Sequence, residues 1–459
     1  MEATFIIIRE DLQVDPVTIV AEGVLIGRLP TCELLLNHPS VSRLHAGITY
    51  ADGDYYIRNL RPGNSILLNG TRLEEYEALT PPGLPTHVHQ VNLQTLVGGG
   101  EVYTRHLTRA LADCGAEVTL YVHPENSFWD ALPFQKILVS TPEELLKHFG
   151  EGGKLIFQHT KIPEEIATSI AEKHTLVGFA HMPMVERQPE WLTRCALVVT
   201  VSKYCIDLLL RAGVERLHRE PLYGVADGAR GDPSQPIVAG SPYHWDRRKL
   251  RDRLLGLFEP AFTATQPRTF FDRRPGLTLG IVSLLTPIKQ FPLLFRHVAR
   301  ILARHEVNLE IFGAGGYAQV RDLKAALAPI RGRTRFWGYH ANVAAVYPLL
   351  DYLLTGLPEK EALGLNVLEA QICGTPVLAP RAPPFIETVL DGRSGFLYRD
   401  PRQDNGVDFE RTIKMILGKQ RPDPRLASNH LAEFSYDALL ERTRRLLASL
   451  HRGLAGDLP

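Results

Sequence analysis

The sequence predicts an all-β sandwich followed by two doubly wound α/β halves, and three patterns in its 459 residues point there. Over residues 1–80, short β-prone runs recur at close spacing between turn residues. From residue 87, short apolar runs alternate with amphipathic stretches, as parallel strands covered by helices on both faces do. That alternation breaks over residues 223–276, rich in Pro, Gly and Arg, and then restarts. The expected organisation is therefore 1–80 for the sandwich, 81–222 for one half, 223–276 for a linker and 277–459 for the other half with C-terminal helices.

In the sandwich the expected strands are FIII (5–8), TIVAEGVLIG (18–27), CELLLN (32–37), RLHAGITY (43–50), DYYIRNL (54–60) and SILLNG (65–70). ALTPPGLPT (78–86) reads as a connector because Pro and Gly punctuate it. HVHQVNL (87–93) is strand-like and runs into Gly98-Gly99-Gly100, and VYTRHLTRALADCG (102–115) carries helical apolar spacing with a terminal Gly. EVTLYV (117–122), KLIFQ (154–158), TLVGFA (175–180) and ALVVTV (196–201) are buried strands, with a helix at KYCIDLLLRAG (203–213). The second half starts at LTLGIVSL (277–284), passes through NLEIFGAG (308–315), TRFWG (334–338) and YLLTG (352–356), and its last strand is expected near PVLA (376–379). Residues 406–452 read as helical. A cleft between two such halves suits a nucleotide, because strand carboxyl ends and helix N-termini face it.

Composition removes several function classes. Lys+Arg and Asp+Glu number 51 each, so no global basic field argues for nucleic acid. Cys32, Cys114, Cys195, Cys205 and Cys373 are scattered, with no C-x-x-C pair, so neither a metal site nor a disulfide framework is expected. MEATFIIIRE lacks a signal-peptide pattern, and no run of about 18 apolar residues occurs. A reducing, cytoplasmic setting is the expectation. HWDRRKLRDRLLGLF (244–258) mixes basic and apolar residues and offers peripheral contact with the inner face of a membrane, although interleaved Asp246 and Asp252 favour an ordinary exposed helix.

Two groups of residues carry chemistry. Arg28, Ser42 and Arg43 lie on loop-like segments and supply the guanidinium and hydroxyl donors that a dianionic phosphate needs. The run IGRLPTCELLLNHPSVSRLHAGI, followed by YYIRNLRPGNSILLNGTRL, resembles a forkhead-associated (FHA) domain over residues 5–75. The resemblance implies that Arg28 and Ser42 hold a phosphate, that Arg43 flanks it and that Asn64 binds the peptide backbone. Gly27 and His45 would shape the loops. The implied partner is a Thr-phosphorylated protein.

The second group is EALGLNVLEAQICGTPVLA (361–379). Glu361 and Glu369, if on one helix, would have backbones ~12 Å apart. That is too far for a glycosidase carboxylate pair at ~5–5.5 Å, but it suits two grips on one long ligand. Free amides at the helix start would favour an anion between them. This segment resembles the retaining glycosyltransferases of family 4, which have the GT-B fold of two facing Rossmann-like halves. GGGEVYTRHLTRAL, FAHMPM, VVTVSKYCIDLLLRAG, TPIKQ and IFGAGG carry the same resemblance over residues 86–450. It implies a nucleotide-sugar donor with no metal and no cofactor. Lys289 would meet the diphosphate, and Glu361 the transferred sugar with His181 close by. Glu369 would meet the ribose. Gly98, Gly99 and Gly100 would approach donor and acceptor, and Gly364, Leu365 and Asn366 would line the donor at the helix start. Gly313, Gly315 and Gly316 are expected to serve close packing and ligand approach. Leu284 stands where the family usually has an arginine, and Arg273 or Arg274 is a candidate to replace that charge.

The function these residues imply is sugar transfer to a glycan or lipid-linked acceptor, with a phosphothreonine-binding module for recruitment or regulation. Leu284 keeps open a phosphopeptide-binding scaffold with an impaired transferase half. A phosphorylase or epimerase on the same architecture is the remaining alternative.

Overall fold

The computed structural model describes residues 3–5, 8–9, 12–13, 17–19, 23–36, 41–51, 54–60, 66–68, 71–72, 76–78, 87–95, 98–183, 190–226, 231–244 and 269–454. Asn64 and nearly all of the basic stretch 244–258 lie outside the described residues. The chain divides into two compact units, Met1–Pro85 with Leu447–Pro459, and Thr86–Leu446.

In the first unit the regular elements described before Pro85 are strands. Five form one sheet: β1 (Val24–Gly27), β2 (Leu34–Leu35), β3 (Ala46–Ala51), β4 (Asp54–Asn59) and β5 (Tyr76–Ala78), in the order β5-β4-β3-β1-β2. Ala3–Phe5 with Val17–Ile19, Ile8–Arg9 with Leu12–Gln13, and Leu67–Leu68 with Thr71–Arg72 form antiparallel pairs. The period of two decides what is inside: Val24 and Ile26 are buried while Leu25 between them is exposed. They pack with Leu34, Ala46, Ile48 and Ile57.

The second unit holds two parallel sheets of six strands. The first comprises β6 (His87–Asn92), β7 (Glu117–Val122), β8 (Gln135–Leu138), β9 (Leu155–Gln158), β10 (Thr175–Ala180) and β11 (Leu197–Thr200), in the order β8-β7-β6-β9-β10-β11. The second comprises β12 (Thr278–Val282), β13 (Asn308–Phe312), β14 (Thr334–Gly338), β15 (Tyr352–Leu354), β16 (Val377–Pro380) and β17 (Gly395–Tyr398), in the order β14-β13-β12-β15-β16-β17. Both are the Rossmann order, which reverses direction beside the first strand and opens a crevice at the strands' carboxyl ends. The sequence pattern places the last strand near residues 376–379, but β17 follows as the edge strand of the second sheet, entered through the turn at Gly392.

Continuous burial explains these strands. All five residues of β12 and of β13 are buried, as parallel strands between two helical layers must be. One face packs on α3 (Phe291–Arg304) through Leu294, Phe295 and Val298. The other packs on Tyr347, Val367 and Phe385. In the first half, α1 (Gly99–Asp113) and α2 (Lys203–Arg211) follow β6 and β11. Within the last helix, Tyr436 donates to Asp113 Oδ2 (2.6 Å), and Arg445 makes two bonds to Glu220 (2.7 and 3.0 Å), so the chain returns to the first half.

Candidate functional site

The switch point of the second sheet lies between β12 and β15, and both loops leaving it carry residues expected at the site. β12 leads to Lys289 and β15 to Glu361. Lys289 Nζ donates to the Glu361 carboxylate, and the two side chains are only 23% and 15% exposed. Gly356 makes this meeting possible: a Cβ there would lie 2.0 Å from the Lys289 carbonyl oxygen. Beside the pair, Gln290 donates to Glu359 Oε2 at 2.9 Å, and Arg402 binds both Glu359 and Asp400.

Glu361 lies in the loop ahead of α4 (Leu365–Ile372), and Glu369 lies a turn inside the helix, so the two acids do not share one helix. Gly364 caps α4 at φ +83°, a left-handed conformation suited to glycine. Asn366 Nδ2 donates to the Val282 carbonyl oxygen at 3.0 Å and ties the helix start to β12. Glu369 accepts from Tyr347 OH at 3.0 Å. Burial first, and then the charge of Glu369, push the Tyr347 phenol well above its ordinary pKa, so it stays a donor. Gly313 and Gly315 serve close packing: Cβ atoms there would lie 1.9 Å from Ser283 O and 2.3 Å from Leu285 O.

The first half brings its glycines to the same place. Gly98 caps α1, and its N–H donates to Glu101 Oε2 at 2.7 Å. Burial raises the Glu101 carboxyl. A Cβ on Gly99 would lie 3.7 Å from Leu365 Cδ1, and one on Gly224 would lie 2.7 Å from Leu365 Cδ2, whereas one on Gly100 would meet nothing within 4 Å. The glycine loop and the start of α4 therefore face each other. His181 follows β10, with its ring edge-on to Tyr103 of α1 at 4.9 Å between centroids. Burial lowers its imidazole to about 4, so the ring is neutral near pH 7.

A contact that sequence reasoning missed links the halves. Glu387, in the short helix α5 (Phe385–Thr388), accepts the N–H groups of Lys203 (3.0 Å) and Tyr204 (2.7 Å) at the start of α2. Tyr223 OH adds a third bond at 3.2 Å. With Ser202 Oγ accepting from Cys205, three orphan amides of α2 are satisfied, two of them from the opposite half. No local spacing signals such a cap. Glu387→Ala is expected to cost about 1–2 kcal/mol, read as a lower urea midpoint at unchanged slope.

The structure corrects one expectation. Arg273 donates to Asp351 (2.5 Å), and Arg274 to Glu310 (2.8 Å) and the Arg333 carbonyl (2.7 Å), ahead of β12 and β15 and at the ends opposite Lys289. Neither replaces the missing charge. Leu284 stands 39% exposed at the carboxyl end of β12.

In the first unit, the loops after β1 and before β3 are bonded together. Arg28 N–H donates to the carbonyls of Ser42 and Arg43, both at 3.0 Å, and a Cβ on Gly27 would lie 2.3 Å from Arg43 O. Ser42 N–H donates to His45 Nδ1 at 3.1 Å. Burial lowers the His45 imidazole, which keeps this acceptor bare. Arg28, Ser42 and Arg43 thus share one end of the sheet, with both arginines exposed.

Among the described residues no cluster of His, Cys, Asp or Glu suits a metal, and no helix is long and apolar enough to cross a membrane. The paired Rossmann orders define the class of the second unit, the two-lobed GT-B architecture. Residues 276–417 match the family of glycosyl transferases group 1, and residues 24–81 match the FHA domain; the chain carries both domains. The D-inositol 3-phosphate glycosyltransferase of Corynebacterium jeikeium (strain K411) is 29% identical over 196 residues, 38% of this chain and 45% of its own length. That of Geodermatophilus obscurus is 28% identical over 239 residues, 47% of this chain and 48% of its own length. The chain therefore spans less than half the length of either relative. Among solved structures, Anabaena Alr3699/HepE in complex with UDP and glucose has a TM-score of 0.57 at 16% identity, covering 79% of this chain and 99% of that one. A glycosyltransferase from Rickettsia africae ESF-5 has a TM-score of 0.59 at 14% identity, covering 80% and 99%. Identities this low speak to fold.

Proposed function

We propose that the second unit transfers a sugar, with retention, from a nucleoside diphosphate sugar to a hydroxyl of a glycan or lipid-linked acceptor, and that the FHA domain recruits it to a Thr-phosphorylated protein. The observation that carries the transferase reading is the Lys289–Glu361 ion pair, set at the switch point of one half where the glycine loop of the other half meets α4. Lys289 meets the diphosphate and offsets the charge that grows on it as the sugar C1–O bond breaks. Glu361 accepts from sugar hydroxyls and Glu369 from the ribose. The acceptor oxygen bonds to C1 on the face the diphosphate leaves, and its proton passes to the departing phosphate oxygen. The chain then supplies positioning and charge rather than a strong base.

A panel of UDP, GDP and ADP sugars tests this reading. One donor family is expected to raise the melting temperature in step with the logarithm of its concentration and to be slowly hydrolysed or transferred. A nucleotide that binds without turnover of any sugar favours the second reading, a phosphopeptide-binding scaffold with an impaired transferase half, for which the exposed Leu284 is the specific observation.

A further inference from the structure

We propose that Thr108, Gln90 and His159 are positioning residues that hold His181 as its Nε2–H tautomer and leave Nδ1 a bare acceptor for a hydroxyl of the saccharide or its acceptor. The ligand part of this inference rests on the transferase reading above; the tautomer part rests on geometry alone.

Thr108 donates its hydroxyl proton to the Thr104 carbonyl at 2.7 Å, so its oxygen is left to accept. It accepts from Gln90 Nε2 at 2.7 Å, which fixes the orientation of that amide. Gln90 Oε1 then faces His159 Nε2 at 2.9 Å, so that nitrogen carries the proton. His159 is fully enclosed and burial holds its imidazole well below the ordinary value, so the ring is neutral and its Nδ1 is a lone pair. His181 Nε2, 3.0 Å away, must donate to it. In a neutral ring the remaining nitrogen, His181 Nδ1, is then unprotonated.

A separate observation agrees. His181 Nδ1 is shielded from solvent and has no hydrogen-bond partner among the described residues. The opposite tautomer would bury an unpaired N–H, which costs more than an unused lone pair. The chain of bonds is anchored on α1 close to the glycine loop, where the Thr104 hydroxyl separately donates to the Gly100 carbonyl at 2.8 Å. With its low basicity, His181 Nδ1 orients a hydroxyl rather than removing its proton.

Nitrogen-15 histidine spectra of the whole chain, with His181→Asn for assignment, read the tautomer directly. The native chain is expected to show a protonated Nε2 and an unprotonated Nδ1 at His181. Gln90→Leu removes the acceptor at similar volume. It is expected to mix the His181 tautomers and lower kcat about tenfold, with KM for the nucleotide sugar unchanged. Gln90→Glu keeps an oxygen facing His159 and is expected to restore the native spectrum and most of kcat. If Gln90→Leu does not fold, Thr108→Val frees the amide to rotate and is read in the same way. A proton on Nδ1 of native His181, or native spectra and kcat in the folded variant, overturns the inference. A chain that turns over no donor removes the transferase reading instead, and the spectra still decide the tautomer.

Discussion

Glu361→Gln is expected to lower kcat for sugar transfer about 100-fold while leaving the folded chain intact. The amide keeps an oxygen for Lys289 and matches the carboxylate in shape, so the mostly buried contact loses charge but not packing. What disappears is the charged acceptor for sugar hydroxyls, an interaction of the size removed when one preorganised group is lost from a transition state, about 3 kcal/mol. Lys289→Met is expected to do more harm to both stability and binding. It leaves Glu361 unpaired in a site where water reaches only a small part of the side chain. Initial rates with the donor found active, alongside urea midpoints, separate the two substitutions. A kcat for Glu361→Gln within threefold of native would remove Glu361 from the chemistry.

Arg28→Ala is expected to weaken binding of a phosphothreonine peptide about 100-fold without changing sugar transfer on a soluble acceptor. A guanidinium fork on a dianion makes charge-assisted bonds worth about 1.5–3 kcal/mol each, and two at the low end of that range account for the loss. Ser42→Ala removes one hydroxyl donor and is expected to cost about tenfold. Titration with phosphorylated and unphosphorylated peptides reads both effects. Equal affinity of the native chain for the two peptides would sink the phosphate-reading role.

The central elements were legible because their burial is continuous and local. Runs 117–122 and 175–180 coincide with β7 and β10, both inside the first sheet. Two of the four edge strands, β8 and β17, were not. β8 has a half-exposed pattern and ends on Leu138, which is 61% exposed, and β17 opens on a glycine that also reads as a turn. Both lack the apolar run that marks a strand buried on two faces.

The site divides the same way. Lys289, Glu361 and Glu369 stood out by residue type and order, and Arg28, Ser42 and Arg43 by their donors. The bond between Lys289 and Glu361 spans 72 positions, and that from Tyr204 to Glu387 spans 183, so no spacing rule reaches them. Glu101 had a usable signal, a carboxylate three residues after the Gly98 cap. Tyr347, the donor to Glu369, had none, because a tyrosine in an apolar run reads as core until its hydroxyl is placed.

The bonds from Tyr436 to Asp113 and from Arg445 to Glu220 make the lobe that starts the second unit depend on the stretch that finishes it. Loss of Tyr436 is thus not a peripheral edit: it frees the far end of α1, the helix whose start carries the glycine loop.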